Sequence, residues 1–148
     1  MFKILVAEGN VQLRTLIKGL IETRKDFTVC GEANNGVEAI SKTVQLKPDL
    51  VILDFAMEGL NGLQVGGQLS KTYPDLPIIL HTFHGFSEMI SQAKKVGIRE
   101  VVSKGASGNA LLEAIDRSLS KSERPGNLPM LDIASDDVGE SKEPPNVD

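Results

Sequence analysis

The amino-acid sequence predicts an α/β domain: a three-layer α/β/α arrangement in which a doubly wound, five-stranded parallel sheet lies between two layers of helices. Three observations carry this reading. Short continuous apolar runs alternate with stripes at helical spacing, five times over. The runs are apolar at successive positions, as in strands buried on both faces. Five such units fill about 120 residues, too few for an eight-unit barrel, which takes about 250.

The elements follow in order along the chain. Phe2–Ala7 is apolar except for Lys3 and is closed by Glu8-Gly9-Asn10. Val11, Leu13, Leu16, Ile17, Leu20 and Ile21 then mark the first helix. Phe27–Gly31 reads as the second strand, and Val37, Ile40 and Val44 as the stripe of the second helix. Leu50–Leu53 is the third strand, bounded by Pro48-Asp49 and Asp54. A glycine-rich loop leads to a helix over Leu63–Thr72, which Pro74 stops. Pro77–His81 is the fourth strand; Met89, Ile90, Ala93 and Val96 mark a fourth helix ended by Gly97. Arg99–Ser103 is a short fifth strand, and Leu111, Leu112, Ile115 and Leu119 mark the last helix. The expected strand order is the flavodoxin-like 2-1-3-4-5.

Composition narrows the function classes. Of 148 residues, 41% are hydrophobic and 24% charged, which is ordinary globular usage. The net charge of −4 lacks the broad basic footprint of a nucleic-acid binder. A single cysteine, Cys30, cannot form an internal disulfide and is expected to pack as a small apolar residue on the second strand. No apolar run approaches the roughly 20 residues that span a bilayer, and the apolar start is broken by Glu8 without a leader-like pattern. A cytoplasmic location is the expectation. Charge divides the chain: residues 1–120 carry 13 basic and 13 acidic side chains, whereas residues 121–148 carry 3 and 7. That tail holds four of the seven prolines and no aromatic residue, so it is expected to be disordered, with Leu128–Ile133 its only apolar cluster.

In an open parallel sheet, ligands gather outside the carboxyl ends of the strands. The residues that follow the apolar runs there are Glu8, Asp54, Thr82 and Lys104. Two carboxylates, a hydroxyl and an ammonium at one edge suit phosphoryl chemistry. A carboxylate can attack phosphorus to form an aspartyl phosphate, a hard divalent cation can neutralise the transferred group, and a lysine and a hydroxyl can pair with its oxygens.

Over residues 1–120 the sequence resembles the receiver domain of bacterial two-component response regulators. The segments that carry the resemblance are Ile4–Asn10, then Pro48–Asp54 with Met57 and Gly62, then Pro77–Thr82, and finally Val101–Gly105. The resemblance implies that Asp54 is phosphorylated by a histidine kinase or phosphotransfer protein. It further implies that Lys104 contacts the phosphoryl group and that Thr82 is the switch hydroxyl. Mg²⁺ would be held by Glu8, Asp54 and the main-chain carbonyl of Ala56. Such a module signals to a downstream protein partner through a changed surface and often dimerises. It catalyses only its own phosphorylation and dephosphorylation, and is not an enzyme in the metabolic sense. The tail leaves no room for a DNA-binding helical module, so a single-domain receiver is expected.

Four positions depart from the family pattern. Gly9 stands where a second carboxylate normally ligates the metal, so weak Mg²⁺ binding is expected. Phe83 follows the switch threonine where a small residue is usual, Val101 replaces the switch aromatic, and Glu58 replaces a common proline. Gly9, Phe83 and Val101 together favour the alternative of a pseudo-receiver, an interaction module that signals without phosphate. Blander roles also exist: Glu8 as a helix cap or a partner of Lys104, Asp54 and Thr82 as strand ends, Lys104 as a solvated charge. His81 and His84 flank Thr82, but without a third ligand they argue against zinc. A flavin or nucleotide binder would need a phosphate-cradling glycine loop after the first strand, and a dehalogenase-type phosphatase an aspartate where Ala56 stands.

Overall fold

In the computed structural model, which describes residues 1–83 and 86–122, strands and helices alternate from end to end. The order is β1 (Phe2–Ala7), α1 (Val11–Ile21), β2 (Phe27–Ala33), α2 (Gly36–Leu46), β3 (Leu50–Asp54), α3 (Gly62–Thr72), β4 (Ile78–Thr82), α4 (Phe86–Lys95), β5 (Glu100–Ser103) and α5 (Gly108–Ser122). All strand pairs are parallel, in the order β2-β1-β3-β4-β5. This is the arrangement expected from the sequence. The acidic tail from residue 123, its Leu128–Ile133 cluster and His84 lie outside the described residues. Among the described residues no helix is long and apolar enough to cross a membrane.

Strand alternation divides the core into two layers. Ile4, Val6, Leu50, Ile52, Ile79 and Val102 pack against α1 and α5 through Ile17, Ile21, Leu111 and Ile115. Leu5, Ala7, Val51, Leu53, Ile78 and Leu80 face the other way, onto Ala39 of α2, Val65 and Leu69 of α3 and Ala93 of α4. Because both faces are covered, neither strand face tolerates polar side chains, which is why the sequence shows continuous apolar runs.

Local chemistry sets the helix ends. Asn10, Asn35 and Asn61 precede α1, α2 and α3, and each side chain accepts from the backbone N–H three residues on. Gln64 returns the bond to Asn61 N, completing a capping box. Gly97, with φ 96°, turns the chain from α4 toward β5.

Several boundaries differ from the sequence expectation by a residue or more, among them β3, which includes Asp54, and β5, which starts at Glu100; those of β2 and β4 have physical reasons. β2 runs on to Ala33, past Gly31, because the register against β1 shifts between Ile4 and Leu5 and leaves Cys30 as the extra residue. Gly31 is therefore a packing position inside the strand: a Cβ there would lie 2.5 Å from Leu46 Cδ1. β4 starts at Ile78 and includes Thr82, since Pro77 has no N–H and contributes only its carbonyl, which accepts from Val51 N at 3.1 Å.

Gly62 couples the fold to the carboxyl edge of the sheet. Its N–H donates to Phe55 O at 2.8 Å, and a Cβ would lie 2.5 Å from Asp54 O and 2.9 Å from Phe55 Cα. Those are backbone atoms and cannot swing aside. Gly62→Ala is expected to cost about 1–3 kcal/mol in urea unfolding. Gly67→Ala, whose Cβ would meet Val96 at an ordinary 3.5 Å, should be neutral or stabilising. Equal effects of the two substitutions would rule out this packing argument.

Candidate functional site at the carboxyl edge of the sheet

The alternation that sorts the core also builds the site. Glu8 continues the face of Ile4 and Val6, Asp54 that of Leu50 and Ile52, and Lys104 that of Val102. Three charged groups from three strand ends thus meet on the α1/α5 side of one edge. Lys104 Nζ lies 2.8 Å from Glu8 Oε1 and 2.8 Å from Asp54 Oδ1. All three side chains are buried, at 7, 3 and 6% exposure for Lys104, Glu8 and Asp54. In so little water the ammonium is what makes two neighbouring carboxylates tolerable.

The remaining contacts come from the backbone. Glu8 Oε2 accepts from Asn10 N at 3.0 Å, and Asp54 Oδ1 also accepts from Ala56 N at 3.3 Å. Both bonds to Asp54 fall on Oδ1, so Oδ2 accepts none from the described residues. Burial holds the Glu8 carboxyl above its usual range, and the Asp54 charge adds to this; the Lys104 and Asn10 donors oppose it. Of the blander roles weighed for Glu8, pairing with Lys104 is the one observed. The α1 cap is Asn10.

Thr82 ends β4, buried, and its carbonyl accepts from Lys104 N at 2.8 Å, which fixes the two strand ends side by side. Phe83 lies next, 62% exposed, with Lys104 Nζ 5.2 Å from its ring centroid. The ring thus covers the ammonium at cation–π distance. Val101 is partly buried in the second core layer and stands in register with Leu80. Gly9 has room for a side chain, since its Cβ would meet only Asn34 O, at 3.6 Å.

One site neighbour was not singled out as such from the sequence. His81 stands in register with Asp54 and is 7% exposed. Burial, together with the Lys104 charge, pushes its pKa down to about 4, so the imidazole is neutral near pH 7. Its Nδ1 has no hydrogen-bond partner among the described residues. The available signal was its place immediately before Thr82 in an otherwise apolar strand. Among the described residues, no three His, Cys, Asp or Glu side chains are disposed to hold a metal ion.

Comparison with known proteins matches this arrangement to one family model, the response regulator receiver domain, over residues 4–116. The chain belongs to that family. It is 32% identical over 118 residues to the chemotaxis protein CheY of Listeria monocytogenes, covering 80% of this chain and 98% of that one. Identity to CheY of Thermotoga maritima is 30% over 115 residues, 78% and 95% of the two chains. The response regulator protein VraR of Staphylococcus aureus is 29% identical over 116 residues, 56% of its length. Among solved structures, the response regulator domain of Thermotoga maritima CheB superposes with a TM-score of 0.75 at 25% identity, over 81% of this chain and 97% of that one. Receiver domains are signalling modules of two-component systems, and this receiver shares their five-stranded fold.

Proposed function

We propose that this receiver accepts a phosphoryl group on Asp54 from a histidine kinase or phosphotransfer protein and passes the signal to a downstream protein. The observation that carries the reading is the asymmetry of Asp54: Oδ1 is held by Lys104 and Ala56 N, while Oδ2 carries no bond from the described residues. Oδ2 is then the attacking atom. It forms the new O–P bond as the P–N bond of the phosphohistidine breaks, and the departing imidazole keeps the electron pair and takes a proton. Lys104 stays beside the phosphoryl oxygens as their counter-charge, and Thr82, tied to it through the backbone, supplies the hydroxyl that follows them.

A metal ion fits the site in kind. The Glu8 and Asp54 carboxylates and the Ala56 carbonyl are hard oxygen donors of the sort Mg²⁺ takes, but Gly9 adds none and the Lys104 ammonium already pairs with one oxygen of each acid. Weak Mg²⁺ binding follows. When bound, the ion neutralises charge on the transferred group. In this reading residues 1–120 are the receiver, residues 121–148 an acidic extension, the site of action is cytoplasmic, and the partners are proteins, a second copy of the chain included. The second reading, a phosphate-independent interaction module, is favoured by Phe83 over Lys104 and by the missing carboxylate at Gly9.

Intact mass after incubation with acetyl phosphate or phosphoramidate, with and without Mg²⁺, separates the two. A gain of about 80 Da that disappears in Asp54→Asn supports the receiver chemistry. No adduct on the folded protein under any condition selects the interaction module. Phe83→Ala is expected to speed both gain and loss of the group by about 3–10-fold, equivalent to roughly 0.6–1.4 kcal/mol. Unchanged rates would remove the ring from the account.

A further inference from the structure

Away from the phosphorylation edge, an open groove of about 760 Å³ runs between α3 and α4. Leu60, Leu63 and Val96 supply apolar lining, and Lys71, Lys94 and Lys95 stand along it. The three lysines are exposed and none forms an ion pair with a described residue. No Asp or Glu among the described residues lines the groove. An apolar trough with unpaired cations selects a chain segment that mixes apolar and acidic side chains.

We infer that the occupant is this chain's own C-terminal extension, with residues 128–137 docked in cis between α3 and α4. That segment reads Leu128-Pro129-Met130-Leu131-Asp132-Ile133-Ala134-Ser135-Asp136-Asp137, four large apolar residues followed or interrupted by three carboxylates. Residues 123–148 as a whole carry seven acids against two bases. The groove and the end of α5 share one edge of the sheet but lie on opposite faces, so the extension reaches the groove by passing round an edge of the sheet. In parallel βα units the helices run back against the strands, so α3, α4 and α5 all end at the amino edge of the sheet. Lys71, Lys94 and Lys95 lie at the ends of α3 and α4, and the extension leaves from the end of α5. Residues 123–127 can span up to about 17 Å before Leu128, and the ten docking residues add to that reach. Tethering supplies an effective concentration on the order of mM, so a contact weak between separate molecules is occupied within one chain. The docked segment reserves the groove: a partner offering the same acidic and apolar chemistry must displace it.

Paramagnetic relaxation enhancement on the whole chain tests this. A nitroxide is placed at Ser135→Cys in a Cys30→Ser background, and the ¹⁵N-labelled amides are compared with the reduced label. Resonances of Lys71 and Lys94–Gly97 are expected to lose roughly half their intensity, given majority occupancy in cis. The loss should be reversed by the combined Lys71→Gln, Lys94→Gln and Lys95→Gln substitution and weakened in about 0.5 M salt. Full intensity at those amides, or loss centred on another surface, overturns the proposal. So does loss that appears only when unlabelled-spin ¹⁵N chain is mixed with spin-labelled ¹⁴N chain, which assigns the groove to a second copy.

Discussion

Lys104→Met is expected to lower the stability of the folded chain by about 3–5 kcal/mol at pH 8, the usual cost of stripping one partner from a buried ion pair. The ammonium serves two acids at once, each at 2.8 Å, and all three groups are nearly out of water. Methionine keeps the unbranched stem, one atom shorter, and removes the charge, leaving Glu8 and Asp54 facing one another. The deficit must depend on pH. Glu8 is already raised by burial, and loss of the ammonium with the Asp54 charge still present raises it further. A carboxyl whose pKa is raised on folding favours the fold while protonated and loses that contribution as pH climbs through its folded value. The difference between variant and parent should therefore narrow as the pH falls toward about 4. Urea unfolding at several pH values measures it. A deficit below about 1 kcal/mol, flat with pH, would class the contact with solvated surface pairs.

Gly9→Asp is expected to raise Mg²⁺ affinity at least about tenfold, or 1.4 kcal/mol. The backbone there accepts a side chain, with the nearest atom, Asn34 O, at ordinary contact distance. A third carboxylate supplies the hard oxygen that the site lacks. Without metal the same change should destabilise the fold by about 1–2 kcal/mol, because three acids would share one ammonium. Millimolar Mg²⁺ should then return that loss through binding linkage. Calorimetric Mg²⁺ titration and thermal unfolding with and without the ion check both halves. Unchanged affinity would mean that the ion is not coordinated beside position 9.

Much of this was legible in the residues because burial writes itself into sequence. A strand covered on both faces leaves no polar alternation, so Leu50–Leu53 could be read as a strand, and the polar residues at the end of each run mark the carboxyl edge. Glu8, Asp54 and Lys104 were found that way, and they do converge. What could not be read depends on distances across the sheet. Nothing local to Lys104 says that one ammonium reaches both carboxylates, or that Ala56 N and Lys104 share the same oxygen of Asp54. The burial of His81 beside Asp54 depends on the β3–β4 register, which the sequence does not display. Gly31 looked like the end of a strand because glycine usually punctuates. It is instead the place where Leu46 presses against β2.

The pairing of Lys104 with Asp54 closes across 50 residues of chain. During synthesis the ribosome therefore delivers Asp54 well before its counter-ion, and β3 emerges with an acid that nothing yet neutralises. Only when β5 joins β4 at the edge does the cation arrive. Completion of the sheet and closure of the Glu8–Lys104–Asp54 cluster are then a single event. A nascent chain, or one clipped between α4 and β5, carries Asp54 without the cation that pairs with it, so under the proposed function half-made molecules stay silent.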